Sequence, residues 1–189
     1  RAGFEVLRPT YPSRKMNLES LAKNWLTPYL EENKERLGDN WCIVTHSLGG
    51  IITREWLARD PTYAKPRAVV MLAPPNQGSE LTDLLGGIGL YRWINGPVGN
   101  ELGTQPNHRV MQLPDWPEEI PLCILAGTRT VNPFYSAFIP GEDDGKVSTT
   151  RAKLKGMKEF IKIPHSHPWM MARKRVAHII IDCVERNAP

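Results

Sequence analysis

A mostly parallel sheet with helices on both faces, an α/β fold, is what this chain predicts, on three observations. Apolar runs of strand length recur at residues 41–44, 68–72, 122–127 and 159–163. Residues at helical spacing fill the intervals and follow the last run. Between Val44 and Ile51 a strand passes into a helix through the turn Thr45-His46-Ser47-Leu48-Gly49-Gly50.

The elements follow in order. Phe4-Glu5-Val6-Leu7 reads as a short strand. Asn17 is a cap candidate for a helix whose Leu18, Leu21, Ala22, Trp25, Leu26, Tyr29 and Leu30 share one face. The strand Trp41-Cys42-Ile43-Val44 leads through the turn to a helix that runs to about Asp60-Pro61. Ala68-Val69-Val70-Met71-Leu72 is a strand that stops at Pro74-Pro75. Residues 79–117 break the rhythm: Leu81, Leu84, Leu85, Ile88, Leu90, Tyr91, Trp93, Ile94 and Val98 crowd among five glycines, as a substrate cover or as an ordinary packing helix and loop. Leu122-Cys123-Ile124-Leu125-Ala126-Gly127 is a buried strand, and Glu159-Phe160-Ile161-Lys162-Ile163 alternates as a strand with one wet face should. In the last helix Val176, Ile179, Ile180 and Cys183 or Val184 follow helical spacing.

Composition fits one domain over residues 1–189. With 41% hydrophobic residues the chain can bury a sizeable core without metal or disulfide staples. No apolar run is long enough to span a bilayer, so stable membrane insertion is not expected. Nor does a basic-then-apolar leader mark export; the expected location is cytoplasmic, although a removed leader leaves no trace. The three cysteines show no Cys-x-x-Cys spacing, which argues against a metal site. A strand at residues 68–72 would hold Cys42 and Cys123 about 10 Å apart, too far for a bridge, so free thiols are expected. The formal net charge is +4, but the basic residues are scattered, and Arg173-Lys174-Arg175 opens an amphipathic helix. A solvated face, not a nucleic-acid surface, is the reading.

The turn at Ser47 carries the chemistry. A serine on a tight strand-to-helix turn projects its hydroxyl out of the sheet, while the first N–H groups of the helix point at whatever it attacks. Gly49 and Gly50 leave room for the turn and for helix–sheet packing. Thr45 stands where the Gly-x-Ser-x-Gly pattern has its first glycine, and a simple helix cap is the competing role for Ser47. An acid and a histidine follow in the order such a nucleophile requires. Gly141-Glu142-Asp143-Asp144-Gly145-Lys146-Val147 lies after the strand at 122–127, and Pro164-His165-Ser166-His167-Pro168 ends the strand at 159–163. Both would converge on Ser47 at the carboxyl ends of a parallel sheet.

On the blocks Gly3-Phe4-Glu5-Val6, Thr45-His46-Ser47-Leu48-Gly49-Gly50, Ala73-Pro74-Pro75-Asn76-Gln77-Gly78-Ser79, Asp143-Asp144-Gly145-Lys146-Val147-Ser148 and Ser166-His167-Pro168-Trp169-Met170-Met171, the chain resembles the α/β-hydrolase lipases and esterases. More narrowly it is similar to small bacterial lipases related to the PGAP1-like hydrolases. The resemblance implies an α/β-hydrolase fold with no cofactor. It implies Asp144 as the acid, immediately before Gly-x-Val, and His167 as the histidine, before a short apolar run; Asp143 and His165 remain alternatives. The substrate implied is a small-molecule or lipid ester, cleaved through an acyl-enzyme by Ser47, His167 and Asp144, with the N–H of Leu48 as one oxyanion donor. A thioesterase or acyltransferase on the same triad, or a non-catalytic binding domain on this fold, are the alternatives. In this family the insertion at 79–117 is a common place for a lid. The family's second oxyanion donor comes from a His-Gly loop after a strand that this sequence does not contain. The expectation is an N-terminally incomplete hydrolase, with an N-terminal fragment or partner chain supplying that strand.

Overall fold

Four strands form one parallel sheet: β1 (Cys42–His46), β2 (Ala68–Leu72), β3 (Leu122–Gly127) and β4 (Glu159–Ile163), in the spatial order β1-β2-β3-β4. The computed structural model describes residues 3–60, 65–87 and 96–187. Ile43 pairs with Val69, Val70 with Cys123 and Ile124 with Phe160, so the strands step across the sheet in chain order. β2 and β3 are buried along their whole length, which is why their sequences are unbroken apolar runs and not alternating ones.

Successive side chains of a strand face opposite ways, and the core is divided accordingly. Val69, Met71, Leu122, Ile124 and Ala126 pack on one face against Trp116, Val147 and Leu154. Val70, Leu72, Cys123, Leu125 and Ile163 pack on the other against Val176, Cys183 and Val184 of the last helix, Lys174–Asn187. Helices thus lie on both faces of a parallel sheet. The helix after β1, Leu48–Arg59, is buried from Gly50 to Trp56 because a second layer covers it. Leu18 and Leu21 from the N-terminal helical segment, with Val98, Val110 and Leu113, close over its Ile51 and Ile52.

The N-terminal segment begins where the sequence placed its cap: Asn17 Oδ1 accepts the Ser20 N–H at 2.9 Å. It is not one uniform α-helix, since Leu18–Ser20 passes into a π-helical stretch, Leu21–Leu26, before Thr27–Glu32. The short strand expected at Phe4-Glu5-Val6-Leu7 is a correction. Those residues carry no regular structure, and Phe4 and Val6 are 52% and 67% exposed. A strand is held by neighbours, and the segment pairs with none of the four. β1 is therefore an edge of the sheet, with Val44 49% exposed.

Of the interval 79–117, residues 88–95 lie outside the described residues, and with them Ile88, Leu90, Tyr91, Trp93 and Ile94. Of the described parts, Leu81, Val98, Val110, Leu113 and Trp116 are buried, while Leu84 and Met111 are exposed. Arg54 ties this interval to the helix after β1, donating to the carbonyls of Asn76 at 2.7 Å, Leu113 at 3.3 Å and Pro114 at 3.1 Å. Beside it the fully buried Glu55 accepts from Arg59 and bidentately from Arg109. Burial alone would raise the Glu55 pKa, but hydrogen bonds from Arg109 and Arg59 bring it below the usual carboxylate range.

Candidate active site

Ser47 sits between β1 and its helix with φ 54° and ψ −120°, a left-handed conformation costly for any residue with a β-carbon. Two backbone bonds fix it, Ser47 N–H to Leu72 O at 2.8 Å and Gly50 N–H to Ser47 O at 3.1 Å. Its hydroxyl makes no capping bond to the helix, so the cap reading has no support in the geometry. The turn closes because of its glycines. A β-carbon on Gly49 would meet Thr45 Cβ at 3.2 Å, and one on Gly50 would meet Met71 Sδ and Pro74 Cβ at 3.1 Å. Thr45 is accommodated in place of the usual glycine by the bare Gly49 opposite it.

Asp144 and His167 meet beyond the ends of β3 and β4. His167 Nδ1 lies 2.7 Å from Asp144 Oδ2, and the pair is buried, at 3% and 1% exposure. The other oxygen, Oδ1, accepts from the N–H groups of Lys146 at 3.0 Å and Val147 at 2.9 Å. The His167 N–H donates to the Asp144 carbonyl at 2.9 Å, joining the two loops by backbone as well. Gly127, the last residue of β3, makes this approach possible. A β-carbon there would strike the His165 carbonyl oxygen and come 2.7 Å from Asp144 Cβ.

The neighbours do other things. Asp143 accepts the Gly145 N–H at 2.7 Å and the Ser136 hydroxyl, and it bridges to Ser148 across the turn. Its carboxylate is occupied in shaping the loop. His165 faces Arg129, Arg173 and Arg175, and its pKa is lowered by burial first and by those cations next. Asp144 is paired with His167, not with His165. Leu48 begins the helix directly after Ser47, where a free first-turn N–H is available. Among the described residues no hydrogen bond joins Ser47 Oγ to His167; such bonds commonly lengthen without substrate.

His46 is a site residue that the sequence reading passed over. Its Nε2 donates to the His167 carbonyl at 3.0 Å, and the two rings lie 4.6 Å apart. Burial, then the nearby His167, push its pKa down to about 4, so His46 is neutral near pH 7. Its place immediately before the elbow serine was the available signal. Ala73 was also missed; with φ 46° it turns the chain sharply after β2 toward Gly50. Two surface concavities, of about 260 and 410 Å³, lie away from this site, beside Trp56 and beside His108. No helix among the described residues is long and apolar enough to cross a membrane.

The parallel sheet, helices on both faces and sharp serine turn at its carboxyl edge are the α/β-hydrolase fold. Solved structures with this architecture superimpose closely. The mature form of the Bacillus licheniformis lipase BlEst2 matches with a TM-score of 0.72 at 19% identity, over 92% of this chain and 76% of that one. The Legionella pneumophila phospholipase PlaB, in complex with thio-NAD, matches with a TM-score of 0.73 at 19% identity, over 95% of this chain and 50% of that one. A metagenomic carboxyl esterase, MGS0156, matches with a TM-score of 0.63 at 19% identity, over 85% and 56%. The chain thus spans half the length of PlaB. No protein-family model matches the sequence, and no curated protein matches it.

Proposed function

We propose that the chain is a serine hydrolase that cleaves carboxylic esters of small molecules or lipids, with Ser47 as nucleophile, His167 as base and Asp144 as its orienting acid. The observation that carries this reading is the buried His167–Asp144 contact of 2.7 Å at the same carboxyl end of the sheet as a serine held at φ 54°. A structural histidine has no need of a buried carboxylate, and a structural serine has no need of a strained turn.

In the reaction Ser47 Oγ attacks the ester carbonyl while His167 Nε2 takes its proton. Asp144 on Nδ1 fixes the tautomer that leaves Nε2 free to accept, and it stabilises the imidazolium that forms. The oxyanion draws on the Leu48 N–H at the positive end of the helix. His167 then protonates the departing alcohol, and water, activated by the same histidine, releases the acyl group. That the three neighbours are named lipase, phospholipase and carboxyl esterase supports an ester as the substrate.

The test is covalent labelling with a fluorophosphonate and mapping of the modified residue. Wild type should label at Ser47, and Ser47→Ala should not label and should lose ester hydrolysis by several orders of magnitude, leaving a residual about 10³- to 10⁴-fold above water. Labelling that persists in Ser47→Ala rules out this nucleophile.

A further inference from the structure

At the opposite end of the sheet from Ser47, two thiols and a carboxylate converge. Cys123 of β3 and Glu159, which opens β4, are direct partners in the strand register, so their side chains leave the sheet on the same face. Cys183 comes down on them from the last helix, in the core cluster that contains Cys123. The two sulfurs and a Glu159 oxygen all lie within 4.8 Å of one another, and Cys183 Sγ is 3.8 Å from Glu159 Oε2. A tetrahedral zinc ion with Zn–S of about 2.3 Å and Zn–O of about 2.0–2.2 Å separates its donors by roughly 3.5–3.8 Å. The cluster needs only a small contraction to reach that size.

We propose that Cys123, Glu159 and Cys183 bind a thiophilic divalent cation, Zn²⁺ being the ion tested, as a structural site that ties the last helix to β3 and β4. Two thiolates and a carboxylate carry three negative charges, which Zn²⁺ and the neighbouring Arg186 would balance. Arg186 now holds Glu159, its NH2 group 3.1 and 2.9 Å from the two carboxylate oxygens, and lies 3.8 Å from Cys183 Sγ. With its side chain 56% exposed it can swing outward without disturbing the core, and Glu159, 35% exposed, leaves the fourth position open to a water. The strand register and the helix create the site, which explains why the cysteine spacing in the sequence gives no sign of it.

The experiment uses the whole reduced chain. Titration with Zn²⁺ against a chromophoric chelator should give one ion per chain and release protons as the thiols ionise; Co²⁺ in its place should give thiolate-to-cobalt absorption. Cys42→Ser should bind as wild type does. Cys183→Ser should weaken binding at least 100-fold and abolish the cobalt band. Glu159→Gln and Arg186→Gln alter the partly exposed rim of the site and keep both thiols; the first should weaken binding tenfold or more, the second should preserve or tighten it. Equal affinity in wild type and Glu159→Gln overturns the proposal. So does a reduced chain that takes up no ion.

Discussion

Asp144 and Asp143 are adjacent carboxylates with different surroundings, and substitution should separate them. Asp144→Asn keeps the shape but removes the acceptor that orients His167, so kcat on a soluble ester should fall about 10⁴-fold. Asp143→Asn disturbs a turn bonded to Gly145 and Ser136; its effect should appear in melting temperature, with kcat within about tenfold of wild type. Equal losses of turnover would remove the distinction. His46 predicts a pH effect. Its pKa in the fold is about 4, below the 6.5 of an exposed histidine. The unfolded chain therefore takes up a proton first as pH falls, and stability present above about pH 6.5 should be lost progressively toward pH 4, by up to about 3 kcal/mol. His46→Gln should flatten that part of the stability–pH curve, measured by denaturant unfolding. It should also lower kcat more than it changes KM, because His46 acts by holding the His167 backbone in place.

The helix after β1 is the element on which most depends, since it aims Ser47 at one end and anchors the 79–117 interval along its side. Replacing Arg54 with Met would strand the carbonyls of Asn76, Leu113 and Pro114 in the interior. The expected cost is about 3 kcal/mol, a fall in melting temperature of roughly 6–12 °C for a chain of this size. Calorimetry decides it; an unchanged transition would mean that water reaches those carbonyls. Nothing in the sequence announced this strut. A charged pair in a helix reads as a solvated face, and only the second layer, contributed by residues distant in sequence, buries it. The strands were legible for the converse reason. Where a strand is covered on both faces its composition must be apolar throughout, so β2 and β3 fall where the runs at 68–72 and 122–127 placed them. Phe4-Glu5-Val6-Leu7 has the same local character and no strand, because pairing is a property of neighbours and not of the segment. Of the candidate site the sequence carries residue types and their order; that Asp144 and not Asp143 lies against His167 depends on which carboxylate a single turn aims inward, a matter of dihedral angles.

The sheet as a whole ends in two edge strands, β1 and β4, and along β1 Val44 stands exposed among backbone groups that no described strand pairs. Such an edge is a template for another strand. The chain should therefore self-associate as its concentration rises, and Val44→Lys should shift sedimentation toward monomer without changing the far-ultraviolet dichroism. A dimer population unaffected by the substitution would place the contact elsewhere. The sequential strand order has one more consequence. β1, β2 and Ser47 precede the exposed turn at Glu118 and Glu119, while β3, β4, Asp144 and His167 follow it. The proposed nucleophile and the pair proposed to activate it thus belong to separate stretches of chain, joined through the β2–β3 pairing and the packed layers. Cut at that turn, the molecule becomes a two-piece reporter: neither fragment alone should turn over ester, and hydrolysis on mixing should grow with the product of the two concentrations until the pieces are saturated.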